Sequence, residues 1–174
     1  GRRRKVAAAS AAKGLVFVSL RRRRIAINLI QGVNMSHISY IKVRGYHLDV
    51  YQHVNNARYL EFLEDARWEY LDETGDLAFF QGKGLAWVIV NINISYRASA
   101  TLGHTLAIDT RLSKVGKKSA VFTQEIKIKG TDTVVADADI TFVLLDQGAG
   151  KAIEIEGEIR DRMLPHLKAQ DMGS

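Results

Sequence analysis

The sequence has no cysteine and a single proline in 174 residues. Without thiols there is no disulfide framework, no cysteine zinc site and no thiol nucleophile, so any catalysis rests on carboxylate, imidazole, hydroxyl or backbone groups. A collagen-like repeat is excluded as well. Long apolar runs are missing: Leu15 to Leu20 and Ile25 to Ile30 are separated by Arg21 to Arg24. Each run falls far short of the roughly 20 residues a membrane-crossing helix needs, and the second is thin even for a signal-peptide core. Acid is missing from the N-terminal part, where the first carboxylate of the whole chain is Asp49.

What is present fits one compact domain with a real core, since 47% of the residues are apolar and 25% are charged. The formal charge of +6 sits at one end. Residues 1 to 34 hold nine basic residues and no acid, leaving 16 basic against 19 acidic residues from Met35 onward, a net charge of −3. The body therefore gives no reason to expect a nucleic-acid partner. The Arg-rich, Ser-containing leader has the composition of an organellar presequence or of an electrostatic arm for anionic surfaces. The simpler reading is that residues 1 to 34 are an extension and that the native domain runs from 35 to 174, because the strand pattern begins just after Met35.

Loose alternation from Ser36 to Gly45 predicts a first strand. A polar loop, Tyr46 to Asn56, follows and ends in Asn55-Asn56, either of which can cap a helix. From Ala57 to Leu71 there is no Gly or Pro, and Tyr59, Leu63, Ala66 and Tyr70 recur at helical spacing. Thr74-Gly75-Asp76 ends that helix. Strands then follow one another. Val88, Val90, Ile92, Ile94 and Tyr96 alternate with Ile89, Asn91, Asn93, Ser95 and Arg97. Further strands are carried by Leu106 to Leu112, Phe122 to Ile128 and Val134 to Leu144, with a short strand at Ala152 to Ile155 and a last helix from Glu158. One strand, one apolar helix and an antiparallel meander make an α+β domain with no βαβ alternation.

The nucleophile-elbow, dinucleotide and Walker templates are absent. His47, Asp49 and His53 form only a loose triplet, so no metal is expected. What remains is Asp49-Val50-Tyr51-Gln52-His53-Val54-Asn55-Asn56, a carboxylate four residues before an imidazole at the start of a helix. A helix N-terminus offers unpaired N–H groups and partial positive charge to a carbonyl oxygen, and a neighbouring carboxylate can activate water or attack. The same residues also suit a plain turn and helix cap.

This stretch, continued through Tyr59-Leu60 to Glu64 and Arg67, resembles the Asp-x-x-x-His-Val-Asn-Asn-x-x-Tyr-Leu signature of hotdog-fold thioesterases. From Ile41 to about Arg162 the chain is similar to the bacterial long-chain acyl-CoA thioesterase III family, within the 4-hydroxybenzoyl-CoA thioesterase-like group. The resemblance is strongest in Ile41 to His53, Ala57 to Trp68, Val90 to Arg97, and Val135 to Ala138 with Ile140 to Val143. It implies a hotdog fold, in which a curved antiparallel sheet wraps a long helix, and a homodimer or homotetramer with sites at the subunit seam. The implied activity is hydrolysis of medium or long acyl-CoA in the cytoplasm, without cofactor, metal, nucleic acid or stable membrane insertion.

By the same resemblance Asp49 is the catalytic carboxylate, as nucleophile or general base, and the backbone N–H of Asn56 polarises the thioester carbonyl. His53 and Asn55 position water or the loop. Glu64 stands near the carboxylate of another hotdog branch, or else it pairs with Arg67 or is an acid on the helix face. Tyr51, Tyr59, Asn91, Asn93 and Arg97 are candidate substrate contacts, although plant acyl-carrier-protein thioesterases carry Asn at the position of Tyr51. Lys114, Lys117 and Lys118 are either a coenzyme A phosphate site or a solvated turn. The apolar helix with Phe79-Phe80 either bounds an acyl tunnel or packs the core. Two alternatives stay open: a thioesterase for aryl-CoA or acyl-carrier-protein substrates, and a non-catalytic acyl-CoA-binding regulator.

Overall fold

The computed structural model describes residues 36–168. The basic leader and Met35 lie outside that range. The elements are β1 (His37–Lys42), a 3-10 turn (Gly45–His47), α1 (Asn56–Thr74), α2 (Asp76–Gly82), β2 (Leu85–Tyr96), β3 (Thr105–Val115), β4 (Ala120–Ile128), β5 (Val134–Asp146), β6 (Lys151–Ala152) and α3 (Gly157–Lys168). The strands form one antiparallel sheet in the order β1-β3-β4-β5-β2, with β6 beside β5. β1 and β2 are therefore its edges.

Period-two patterning decides which face is inside. Leu106, Ile108, Thr110 and Leu112 of β3, Ala120, Phe122, Gln124 and Ile126 of β4, and Ala136, Ala138, Ile140, Phe142 and Leu144 of β5 are all buried. Tyr59, Phe62, Leu63, Ala66, Tyr70 and Leu71 of α1 join them in one core cluster. Two polar core positions are explained by a third. The Arg67 guanidinium donates from Nη1 to Gln124 Oε1 (2.9 Å), while Gln124 Nε2 donates to Thr110 Oγ1 (2.8 Å) and to the carbonyl of Leu63 (3.0 Å). The buried guanidinium is thus tied through Nη1 to an amide of the sheet, and that amide is in turn satisfied by the Thr110 hydroxyl and the Leu63 carbonyl.

The order of elements is the expected one, with local differences. β1 stops at Lys42 rather than Gly45: the Val43 N–H still bonds the carbonyl of His104 (2.9 Å), but the His104 N–H turns back to the carbonyl of Thr101 (3.2 Å). α1 continues to Thr74 and is closed by Gly75, whose φ of +71° is a left-handed conformation that glycine adopts without strain. Phe79-Phe80 belongs to a short helix, α2, that the sequence pattern does not mark. β6 covers only Lys151–Ala152. The uniform alternation read into β2 breaks at Val90, where Ile89 faces Phe142 but Asn91 already faces Thr141. This bulge turns the strand over. Leu85, Trp87 and Ile89 lie on the inner face before it and Ile92, Ile94 and Tyr96 after it, so Val88 does not share a face with Ile92 as the sequence pattern predicted.

Candidate active site

Between the 3-10 turn and α1 the chain closes on itself. The Asp49 N–H donates to the carbonyl of His53 (2.8 Å) and that of Gln52 to the carbonyl of Asp49 (3.1 Å), with Gln52 at φ +62°. The Asp49 carboxylate points back into this turn, where Oδ1 accepts from the N–H of Tyr51 (2.9 Å) and of His53 (3.3 Å). Its Oδ2 takes no hydrogen bond among the described residues. The turn is tied down from three sides. The Val54 N–H bonds the carbonyl of Ala100, the Asn55 N–H bonds that of His47, and His53 bridges to Thr101.

His47 is the floor of this arrangement, not part of its chemistry. It is buried, its Nδ1 accepts from the N–H of Arg44 (3.0 Å), and its ring meets Phe62 edge to face at 4.9 Å. Burial and then the nearby Arg58 charge hold its pKa below the ordinary histidine value, which keeps the ring neutral. No group of His, Asp and Glu with metal-holding geometry occurs among the described residues.

Asn55 caps α1, its Oδ1 accepting from the N–H of Ala57 (2.9 Å). The N–H of Asn56, first in the helix, has no acceptor among the described residues, whereas the Asn56 carbonyl accepts from the Tyr96 hydroxyl (3.0 Å) at the end of β2. Asp49, His53, Asn56, Tyr59, Tyr96, Arg97 and Ser99 line an open cleft of ≈ 380 Å³ together with Val54 and Ala98. Burial raises the pKa of the Tyr59 phenol, so it stays protonated at the cleft floor. Arg97 stands at the rim and forms a salt bridge with Asp137. An open carboxylate oxygen, an unpaired helix N–H and a neighbouring cation thus face one volume.

Four of the other candidates lie elsewhere. Tyr51 is 76% exposed at the tip of its turn. Asn91 and Asn93 project from the outer face of β2, opposite Thr141 and Asp139, away from the cleft. Glu64 is exposed on α1 and forms no ion pair with Arg67, whose partner is Gln124; it borders a second, smaller cavity with Arg67, Trp68, Leu71, Trp87 and Ile89. Lys117 and Lys118 pair with Glu154, and Lys114 is exposed near the end of β3. The Ala120 end of β4 beside them aligns with Phe142, far along β5 from the Val135 carbonyl that anchors Arg97. Phe80 is fully buried against Trp87 at 4.8 Å and packs the core. Sequence reading missed Tyr96 and Ser99 as cleft residues. The available signal was the small-residue stretch Ala98-Ser99-Ala100, which ends β2 and lets the Asp49 turn approach.

A curled antiparallel sheet around a long helix, with a carboxylate turn and an unpaired N–H at the start of that helix, defines a hotdog-fold thioesterase arrangement. The chain belongs to the Thioesterase-like superfamily, whose profile matches residues 43–163. It is 50% identical over 128 residues to the long-chain acyl-CoA thioesterase FadM of Escherichia coli, covering 74% of this chain and 97% of that protein. It is 29% identical to the acyl-CoA thioesterase YbgC of Haemophilus influenzae, covering 66% of this chain and 84% of that protein. Among solved structures, the probable thioesterase YbaW of Escherichia coli matches with a TM-score of 0.71 and 48% identity, over 75% of this chain and 98% of that one.

Proposed function

We propose that the protein hydrolyses long-chain acyl-CoA to free acid and coenzyme A at the cleft between the Asp49 turn and the start of α1. The observation that carries this reading is the pairing of a free Asp49 Oδ2 with a free Asn56 N–H across one open volume. The thioester carbonyl oxygen accepts the Asn56 N–H, and the positive end of the helix dipole favours the oxyanion that forms when the carbonyl is attacked. Asp49 Oδ2 takes a proton from water as the water oxygen adds to the carbonyl carbon, and collapse expels the thiolate of coenzyme A; or Oδ2 adds there itself, collapse leaves a mixed anhydride, and water then cleaves that anhydride to the free acid and the original carboxylate. Asn55 fixes the direction of the N–H by capping the helix. His53 and Asn55 border the turn, Tyr59 limits the cleft floor, and Arg97 offers charge to the incoming nucleotide end. The names of the relatives at 50% and 29% identity support acyl-CoA as the substrate.

The edge of β2 supports a homodimer. Twelve residues long, this strand has one edge unpaired among the described residues and exposes Ile89, Val90, Ile92 and Tyr96, with Ile89 bordering the same cavity as exposed Trp68 of α1. A long apolar edge strand is a template for pairing with another chain. A homotetramer is the larger assembly of the same protomer pair, and mass measurement in solution decides between them.

Release of free thiol from acyl-CoAs of graded length and from an aryl-CoA is the primary test, run beside Asp49→Ala. Fast release that disappears in the variant is expected. Saturable acyl-CoA binding without thiol release would replace the enzyme by a binding module. A single turnover in ¹⁸O-water then separates the two routes, since label recovered on Asp49 marks covalent attack.

A further inference from the structure

The second cavity, ≈ 90 Å³ between α1 and β2, is lined by Glu64, Arg67, Trp68, Leu71, Trp87 and Ile89. Most of that lining is apolar, yet two donors in it lack acceptors. The indole N–H of Trp87 is buried and has no hydrogen-bond partner among the described residues. Arg67 is only 8% exposed, uses Nη1 alone to reach Gln124, and pairs with no carboxylate among the described residues. Burial pulls its pKa below the usual arginine value. An unmatched buried donor is costly, and a matched one is held in place by the Gln124 network behind it.

The cavity and the cleft lie along the same helix and the same strand, α1 and β2. Asn56, Leu60, Glu64 and Trp68 recur every fourth residue on α1 and form one stripe. The inner face of β2 returns along Ile89, Ile92, Ile94 and Tyr96, and Leu60 and Ile92 between the two ends are each 38% exposed. From Asn56 to Arg67 the helix rises about 16 Å, and from Tyr96 to Ile89 the strand spans about 20 Å. An extended chain advances about 1.2 Å per bond, so an acyl group laid from the cleft along α1 and β2 reaches the cavity after about 13 to 16 bonds.

We infer that this cavity is a subsite for a neutral oxygen, a hydroxyl or carbonyl, carried near the far end of a long acyl chain, with Trp87 and Arg67 as its donors. The inference rests on the proposed acyl-CoA reading and names the substrate class within it. A methyl end leaves both donors unmatched, whereas an oxygen acceptor satisfies them. A hydroxyl in particular also has a proton to give, and Glu64 at the cavity rim can accept it. Glu64 disfavours a carboxylate-ended chain, since a second negative charge would meet the first. The cavity has room for roughly three water-sized groups, enough for a terminal alcohol and the methylenes before it.

Two measurements test the subsite separately from hydrolysis. The chain's two tryptophans, Trp68 and Trp87, both line the cavity, so intrinsic fluorescence reads its occupancy. Titration of the full chain with 16-hydroxyhexadecanoate and with hexadecanoate needs no catalysis, and its outcome stands even if no thioester is cleaved. The hydroxylated acid is expected to bind roughly tenfold more tightly and to shift the emission, and Trp87→Phe, which keeps the ring but removes the N–H, is expected to erase that preference. The second measurement is the ratio of kcat/KM for ω-hydroxyacyl-CoA over plain acyl-CoA from eight to sixteen carbons, in the parent chain, Trp87→Phe and Arg67→Met. A general loss of activity cancels in each ratio. The ratio is expected to rise toward fourteen to sixteen carbons in the parent and to flatten in both variants. Equal binding of the two acids, tighter binding of hexadecanoate, or a preference that survives Trp87→Phe would overturn the inference.

Discussion

The two ends of α1 carry the same residue types and do different things with them. Before the N-terminus stand Asp49 and His53; just past the C-terminus stand Asp76 and, from α3, His166. Asp49 is held only by N–H groups of its own turn and keeps one oxygen open to the cleft. Asp76 is buried and has no free oxygen, since Oδ1 accepts from Arg162 Nε (2.7 Å) and Oδ2 faces His166 Nε2 (3.3 Å). The network closes around it: the Tyr70 hydroxyl lies 2.9 Å from His166 Nδ1, and Arg162 Nη2 donates to the carbonyl of Thr74 (2.6 Å). His166 stands between Asp76 on its Nε2 side and the Tyr70 hydroxyl on its Nδ1 side, so every member has a partner. Reactivity is thus set by which groups the fold leaves unpaired, and the satisfied end fastens α3 to the helix.

The comparison breaks most sharply if the two carboxylates are removed in turn. Asp49→Ala is expected to lower kcat on the order of a thousandfold or more while costing under about 1 kcal/mol of stability, because the lost hydrogen bonds are exposed. Asp76→Ala is expected to cost about 3 kcal/mol by leaving buried His166 and the Arg162 guanidinium without their partner, with turnover per folded molecule kept. Thiol release and urea unfolding on both variants settle the matter. An active Asp49→Ala, or an inactive but stable Asp76→Ala, would reverse the two assignments.

Acid sharpens the same contrast. Burial lowers the pKa of His47, and its stabilising contribution is complete above about 6.5 and is lost as pH falls through the lower folded value. Burial alone would raise the Asp76 carboxyl, but His166 and Arg162 outweigh it and the net direction is down. Its contribution is complete above about 3.9 and disappears as pH falls through the lower folded value. The floor of the Asp49 turn therefore loosens first on acidification. Activity should decline below pH 6.5 while near-ultraviolet dichroism still reports a packed core, and the core should fail only in stronger acid. Simultaneous loss of both signals would mean that the two ends form one cooperative unit.

Much of this contrast is legible in the amino-acid sequence at its N-terminal half. The loop from Tyr46 to Asn56 and the helical stripe of Tyr59, Leu63, Ala66 and Tyr70 are local patterns, and spacing alone predicts the turn, the cap and the buried face. The β3, β4 and β5 faces are equally local, with period two unbroken at Leu106 to Leu112 and Ala136 to Leu144. The C-terminal fastener is not local. Asp76 and His166 are 90 positions apart in the chain, and neither has a neighbour in sequence that marks it as a partner. The β2 bulge fails for a different reason, since Val88, Val90 and Ile92 fit an unbroken strand and only pairing with β5 reveals the inserted residue. Asn91 and Asn93 share a face with Arg97, as the alternation predicts, but that face turns outward, while the loss of pairing after Tyr96 brings Arg97 to the cleft rim.

The smallest predicted effect separates capping from chemistry within the reactive end. Asn55 Oδ1 bonds the Ala57 N–H, so Asn55→Ala leaves that donor unpaired and is expected to cost about 1 kcal/mol. The next residue carries the N–H assigned to the thioester carbonyl, so a frayed first turn should also lower kcat severalfold, with KM changing less, because the contact strengthens as the oxyanion forms. Asn55→Ser retains an oxygen that can cap, and it should restore both stability and turnover if the side chain acts only through the helix. If serine restores the unfolding midpoint but not kcat, the Asn55 amide itself meets water or substrate. The reactive end would then differ from the fastened end in its capping residue as well as in its open carboxylate.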